Sequence, residues 1–137
     1  MGTQTVTASL RPRMIGGDVW IVEDEPPVAD LAADVCAAAG VKSRVFRSHR
    51  PYLAALEAAR PAVVILDWRL ETQLSAGVFM ATRHRLPHVP VIYWTGATFD
   101  ALPAMIRDDP AAVVVDKAAG LAAFEAALAW ALRPSRA

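Results

Sequence analysis

Four short apolar runs, each too brief for a helix and each stopping abruptly at a polar residue, limit what this chain can fold into. Val19 to Val22 stops at Glu23-Asp24-Glu25, Val63 to Leu66 at Asp67, Val89 to Trp94 at Thr95-Gly96-Ala97, and Ala112 to Val115 at Asp116-Lys117. β-Branched and aromatic residues without polar alternation are what a strand buried on both faces requires. A fifth, weaker run, Ser43 to Arg47, suits a sheet edge where Arg44 and Arg47 reach water.

Helical patterns separate the runs. The first starts at Pro26-Pro27, where missing amide protons are harmless, and runs to about Ala39 with a stripe of Val28, Leu31, Val35 and Ala38 and a stop at Gly40. The second starts near Pro51 with Leu53 and Leu56 inward, and the third carries Val78, Phe79, Thr82 and Leu86 up to Pro87 after a polar loop over Trp68 to Ala76. The fourth covers about Ala101 to Arg107 with Asp100 as its cap, and the fifth about Gly120 to Leu132. On the fifth, Leu121, Phe124, Leu128 and Leu132 form the sheet-facing stripe, leaving Trp130 exposed among alanines as a partner contact or a partly covered surface residue. Five strands alternating with five helices imply a parallel sheet wrapped on both faces, because each parallel crossover must be right-handed and long enough to return.

The chain has 137 residues, 55% of them apolar, which suits one domain over residues 18–133 with a flexible arm at 1–17 and a short tail at 134–137. Fourteen basic residues balance fourteen acidic ones, so no global field draws the protein to nucleic acid or to an anionic membrane. No apolar stretch matches a secretory signal or the roughly 18 residues of a membrane span, and the single Cys36 has no disulfide partner. The expectation is a cytoplasmic protein with Cys36 as a core thiol. His84 and His88 are four apart, but Pro87 ends the helix between them, and His49 stands alone, so no histidine metal pair is expected.

In a parallel sheet all strand carboxyl ends share one edge, so Glu23-Asp24, Asp67, Thr95 and Lys117 face one crevice, the place where open α/β sheets bind ligands. Each has an ordinary explanation when taken singly: the acids favour the start of a helix, Asp67 caps loop amides, Thr95 is a turn hydroxyl and Lys117 a solvated charge. Together they say more. Two carboxylates about 4 Å apart repel by roughly 4 kcal/mol at an effective dielectric near 20, a cost that a bound divalent cation removes. Oxygen ligands without His or Cys favour Mg²⁺ or Mn²⁺, and a metal, a carboxylate nucleophile, a hydroxyl and an ammonium form a phosphoryl-transfer constellation.

Over about residues 18 to 132 the sequence resembles a receiver domain of two-component response regulators, through "WIVEDEP", "VVILDWRL", "VIYWTGA" and "VVVDK" in order. The resemblance implies a flavodoxin-like, doubly wound five-stranded parallel sheet of order 2-1-3-4-5 with five helices. It implies that Asp67 accepts a phosphoryl group from a sensor histidine kinase, a histidine phosphotransfer protein or a small donor. It assigns Mg²⁺ to Asp24 and Asp67 directly, to Glu23 through water and to the backbone carbonyl of Arg69, with Thr95 and Lys117 holding phosphoryl oxygens. Three positions depart from the family pattern. Val114 stands where a switch aromatic is common, Ala118 follows the lysine in place of a cis proline, so a trans bond or a strained loop is expected, and the loop from Asp67 to Gly77 is about two residues longer. Arg69 and Ala97 flank the site where phosphoryl lifetime is tuned.

These readings point to a phosphoacceptor rather than an enzyme with a turnover substrate, without an output domain, since the residues after Leu132 are too few to fold. It signals through protein contacts, through a homodimer or partner on the face of the fourth helix, fifth strand and fifth helix, or serves as a phosphorelay intermediate or sink. The rivals are a phosphorylation-independent binding module and a metal-dependent phosphohydrolase. The latter usually carries a second acid two residues after the first, where this chain has Arg69.

Overall fold

The computed structural model describes residues 17–67, 69–70 and 73–133, so most of the expected arm, the tail and Trp68 lie outside the described residues. Five parallel strands, β1 (Val19–Val22), β2 (Ser43–Phe46), β3 (Val63–Leu66), β4 (Val91–Thr95) and β5 (Ala112–Asp116), form one sheet in the order β2-β1-β3-β4-β5. Helices α1 (Pro26–Ala38), α2 (His49–Ala58), α3 (Ala76–Arg85), α4 (Ala104–Arg107) and α5 (Leu121–Ala131) connect and cover it. The flavodoxin-like fold and strand order match the sequence expectation.

Alternation along the strands divides the core in two. Val19, Ile21, Val63, Ile65, Ile92, Trp94 and Val115 pack toward α1 and α5, while Trp20, Val22, Val64, Leu66, Val91 and Tyr93 pack toward α2, α3 and α4. All residues of β1, β3 and β4 are buried, as runs without polar alternation require, whereas Arg44 on the edge strand β2 is exposed and lies over the Phe46 ring.

Helix ends follow their local chemistry. Gly40 (φ 80°) closes α1: its N–H bonds the Ala37 carbonyl and the Val41 N–H bonds that of Cys36, the paired bonds of a Schellman stop. The sheet-facing stripe of α1 differs from expectation. Ala29, Ala32, Val35 and Cys36 are buried, whereas Leu31 is 40% exposed and Ala38 is exposed. Alanines and a thiol let this helix lie close to the sheet, and the close approach outweighs the size of Leu31.

The fourth helix is also revised. Phe99–Ala101 is a separate 3₁₀ turn that contains Asp100, so Asp100 does not cap α4. Pro103 forces Leu102 into extended backbone (ψ 147°) and itself takes the N-cap position. On α5, Phe124, Leu128 and Leu132 are buried as expected, but Leu121 at the first turn is 39% exposed, and Trp130 is half-buried against the core rather than exposed. The expected polar loop after Asp67 contains a two-residue antiparallel ladder, Arg69–Leu70 against Gln73–Leu74.

Candidate functional site

Register places the site before any side chain is considered. Val22 pairs with Leu66, and the ladder continues one step further: the Glu23 N–H bonds the Phe46 carbonyl at 2.9 Å and the Asp67 N–H the Val22 carbonyl at 3.3 Å. Glu23 and Asp67 therefore leave neighbouring strands side by side. Leu66 pairs with Tyr93 and Thr95 with Asp116, which sets Trp94, Thr95 and Lys117 along the same carboxyl edge.

Glu23 (3% exposed), Asp67 (7%) and Thr95 (1%) are buried charged or polar groups at strand ends. Carboxylate oxygens of Glu23, Asp24 and Asp67 lie within 4.8 Å of one another. The Lys117 ammonium donates to Asp67 Oδ2 at 2.9 Å and sits 3.1 Å from Glu23 Oε1, bridging β1 and β3 from the end of β5. Glu23 also accepts from the Glu25 N–H at 3.3 Å. Asp24, Glu25, Asp67, Thr95, Gly96, Ala97 and Lys117 line a cavity of about 480 Å³ that opens at this edge.

Burial, and next the Asp67 charge, push the Glu23 carboxyl up to about 7 against the opposing pull of Lys117. Burial disfavours the Lys117 ammonium, but its hydrogen bond to Asp67 and the charges of Asp67 and Glu23 win, raising it above the ordinary lysine value. One ammonium thus offsets only part of the crowding of three acids. A cluster of hard oxygen donors with excess negative charge fits a Mg²⁺-type cation, and Glu23, Asp24 and Asp67 are the side chains placed to hold it.

Thr95 accepts from the Ala97 N–H at 3.2 Å, which fixes its side chain while the hydroxyl keeps its own proton for donation. Lys117 opens a 3₁₀ turn through Ala119, capped by Asp116, whose Oδ1 accepts from the Ala118 N–H at 2.8 Å. None of the described peptide bonds is cis, so the lysine reaches the acids through a trans turn.

The structure brings Glu23, Asp24, Asp67, Thr95 and Lys117 to one cavity edge. Arg69 begins the small ladder beyond Asp67, and its side chain is outside the described residues. Two features escaped the sequence. The bond between Lys117 and Glu23 joins residues 94 positions apart, and only the strand order reveals it. The second is Trp94, whose ring centroid lies 6.0 Å from the Lys117 nitrogen.

No family model matches the chain. Fold, relatives and the acidic strand-end cluster nevertheless point to one class: the chain is similar to the receiver domains of response regulators in two-component signalling. Among particular proteins it is similar to the DNA-binding transcriptional regulator NtrC of Salmonella typhimurium, with 27% identity over 115 residues, covering 74% of this chain and 24% of that protein. The chain thus spans about a quarter of the length of the curated relatives it matches. The solution structure of the apo receiver domain of nitrogen regulatory protein C is 26% identical with a TM-score of 0.66, covering 82% of this chain and 90% of that one. Chemotaxis protein CheY4 of Vibrio cholerae shares the fold at 18% identity and a TM-score of 0.73, covering 84% and 98%.

Proposed function

We propose that this domain is a Mg²⁺-dependent phosphoacceptor whose nucleophile is Asp67. The observation that carries the reading is the bridge of Lys117 to Asp67 and Glu23 beside Asp24 and Thr95, at the mouth of one cavity. An Asp67 oxygen attacks the phosphorus of a phosphohistidine or acyl phosphate; the bond to the donor breaks as the Asp67 O–P bond forms, and the leaving group takes up a proton. Lys117 then turns its ammonium to a phosphoryl oxygen, and the Thr95 hydroxyl donates to another. Glu23, Asp24 and Asp67 would hold a divalent cation, which would supply charge neutralisation for the incoming phosphoryl oxygens. The carbonyl of Arg69, just past the nucleophile, is assigned as a further ligand.

Partners of this chemistry are a sensor histidine kinase or a histidine phosphotransfer protein, and output passes through protein contacts or a homodimer on the α4, β5 and α5 side. That side exposes Phe99, Met105 and Leu121, which replace Trp130 as contact candidates. Among the described residues no helix is long and apolar enough to cross a membrane, which accords with action in the cytoplasm beside a kinase. The substitution of Val114 for a switch aromatic favours one second reading, a binding module that signals without phosphorylation. Incubation with Mg²⁺ and acetyl phosphate, followed by intact mass, tests the proposal: a single phosphoryl adduct is expected on wild type and none on Asp67→Ala. Wild type without an adduct sinks the mechanism, and unchanged biological output from Asp67→Asn favours the second reading.

A further inference from the structure

On the face of the sheet opposite Val114, the row of residues that contains Glu23 and Asp67 continues into Trp94. Trp94 is 5% exposed, its indole N–H has no hydrogen-bond partner among the described residues, and its ring stacks on Phe124 of α5 at 4.3 Å between centroids and 18° between planes. The Lys117 nitrogen lies 6.0 Å from the same ring, at the outer limit of a cation–π contact, while its hydrogen bonds go to Asp67 and Glu23. An ammonium, an indole and a phenyl ring thus form one column from the phosphoacceptor to the first turn of α5.

Resting on the phosphoacceptor reading, we propose that Trp94 positions Lys117 and carries the state of Asp67 to α5, a route independent of the Thr95 side of the sheet. When Asp67 gains a phosphoryl group, Lys117 exchanges its carboxylate partners for phosphoryl oxygens and shifts over the indole. Trp94 and Phe124 are both buried in the same core cluster and stacked on one another, so a displacement of the indole is passed by close packing to Phe124 and with it to α5. On the other face, Val114 has no ring to swing.

The test compares wild type, Trp94→Phe, Trp94→Leu and Phe124→Leu, each with Mg²⁺ and beryllofluoride, reading amide hydrogen exchange along residues 121–131, with intact mass after acetyl phosphate as the control for chemistry. Wild type and Trp94→Phe are expected to change exchange in α5. Trp94→Leu and Phe124→Leu are expected to take up phosphoryl groups yet lose the α5 response, with Trp94→Leu reacting about fivefold more slowly, the factor that a cation–π contact carries. An α5 response of wild-type size in both leucine variants overturns the proposal, as does a wild type that forms the adduct with α5 unmoved. Absence of any adduct on wild type overturns the phosphoacceptor reading itself, a separate and distinguishable failure.

Discussion

Lys117 holds two buried carboxylates at once, and its removal leaves both without their ammonium. Lys117→Met is expected to destabilise the domain by about 1.5–3 kcal/mol, the range for hydrogen bonds to charged groups, as read by urea unfolding. It is also expected to slow phosphorylation from acetyl phosphate. Adding Mg²⁺ should restore part of the lost stability, because a cation answers the same crowding of Glu23, Asp24 and Asp67; a variant as stable as wild type without metal contradicts this view of the site. The types of these residues were legible in the sequence because each ends an apolar run, and the end of a buried parallel strand is where a polar side chain first meets solvent. Their pairing was not. That Lys117 meets Glu23 depends on β1 and β3 being neighbours, which residue spacing does not encode.

Elements were readable wherever burial is two-sided. β1, β3 and β4 carry their signal in composition alone, whereas helix faces depend on how closely each helix approaches the sheet. α1 shows the difficulty: large Leu31 faces out while Ala29, Ala32 and Cys36 face in. At this close approach Ala32→Leu is expected to cost about 1–3 kcal/mol through overpacking, measured by the shift in urea midpoint, whereas Leu31→Ala on the exposed side should change stability little. Burial also pushes the Cys36 thiol up to about 11, which fits an inert core group. Arg83, unnoticed in the sequence because Asp109 and Ala111 are 26 and 28 residues away, clamps Asp109 at 2.7 Å and 3.1 Å and the Val89 and Ala111 carbonyls at 2.7 Å and 3.1 Å. Burial works against the Asp109 carboxylate, but Arg83 and the Ala111 N–H hold it below the usual carboxylate range. A depressed carboxyl contributes stability that is complete above its unfolded value near 3.9 and is lost as pH falls through the lower folded value. Asp109→Asn should therefore be less stable than wild type at neutral pH, with the gap narrowing below about pH 4 in parallel urea titrations.

For the whole molecule the decisive property is a charge balance that is neutral overall and locally unbalanced at one edge. The sequence contains equal numbers of acids and bases, yet Glu23, Asp24 and Asp67 converge on the mouth of one cavity, with Lys117 bridging Glu23 and Asp67. Mg²⁺ is thus expected to raise the unfolding free energy by about 2.7 kcal/mol at a hundred times its dissociation constant, and Asp24→Asn should lose most of that gain in thermal melts with and without the ion. The position of Arg83 matters on this scale too. Its partners Val89, Asp109 and Ala111 all lie at the amino ends of β4 and β5, on the edge opposite the site. The domain is riveted at its foot and open at its crown. Any rearrangement driven from Asp67 must then grow with distance from a fixed base, like a lever about its fulcrum, and be largest in the turns and helix ends that a docking protein meets first.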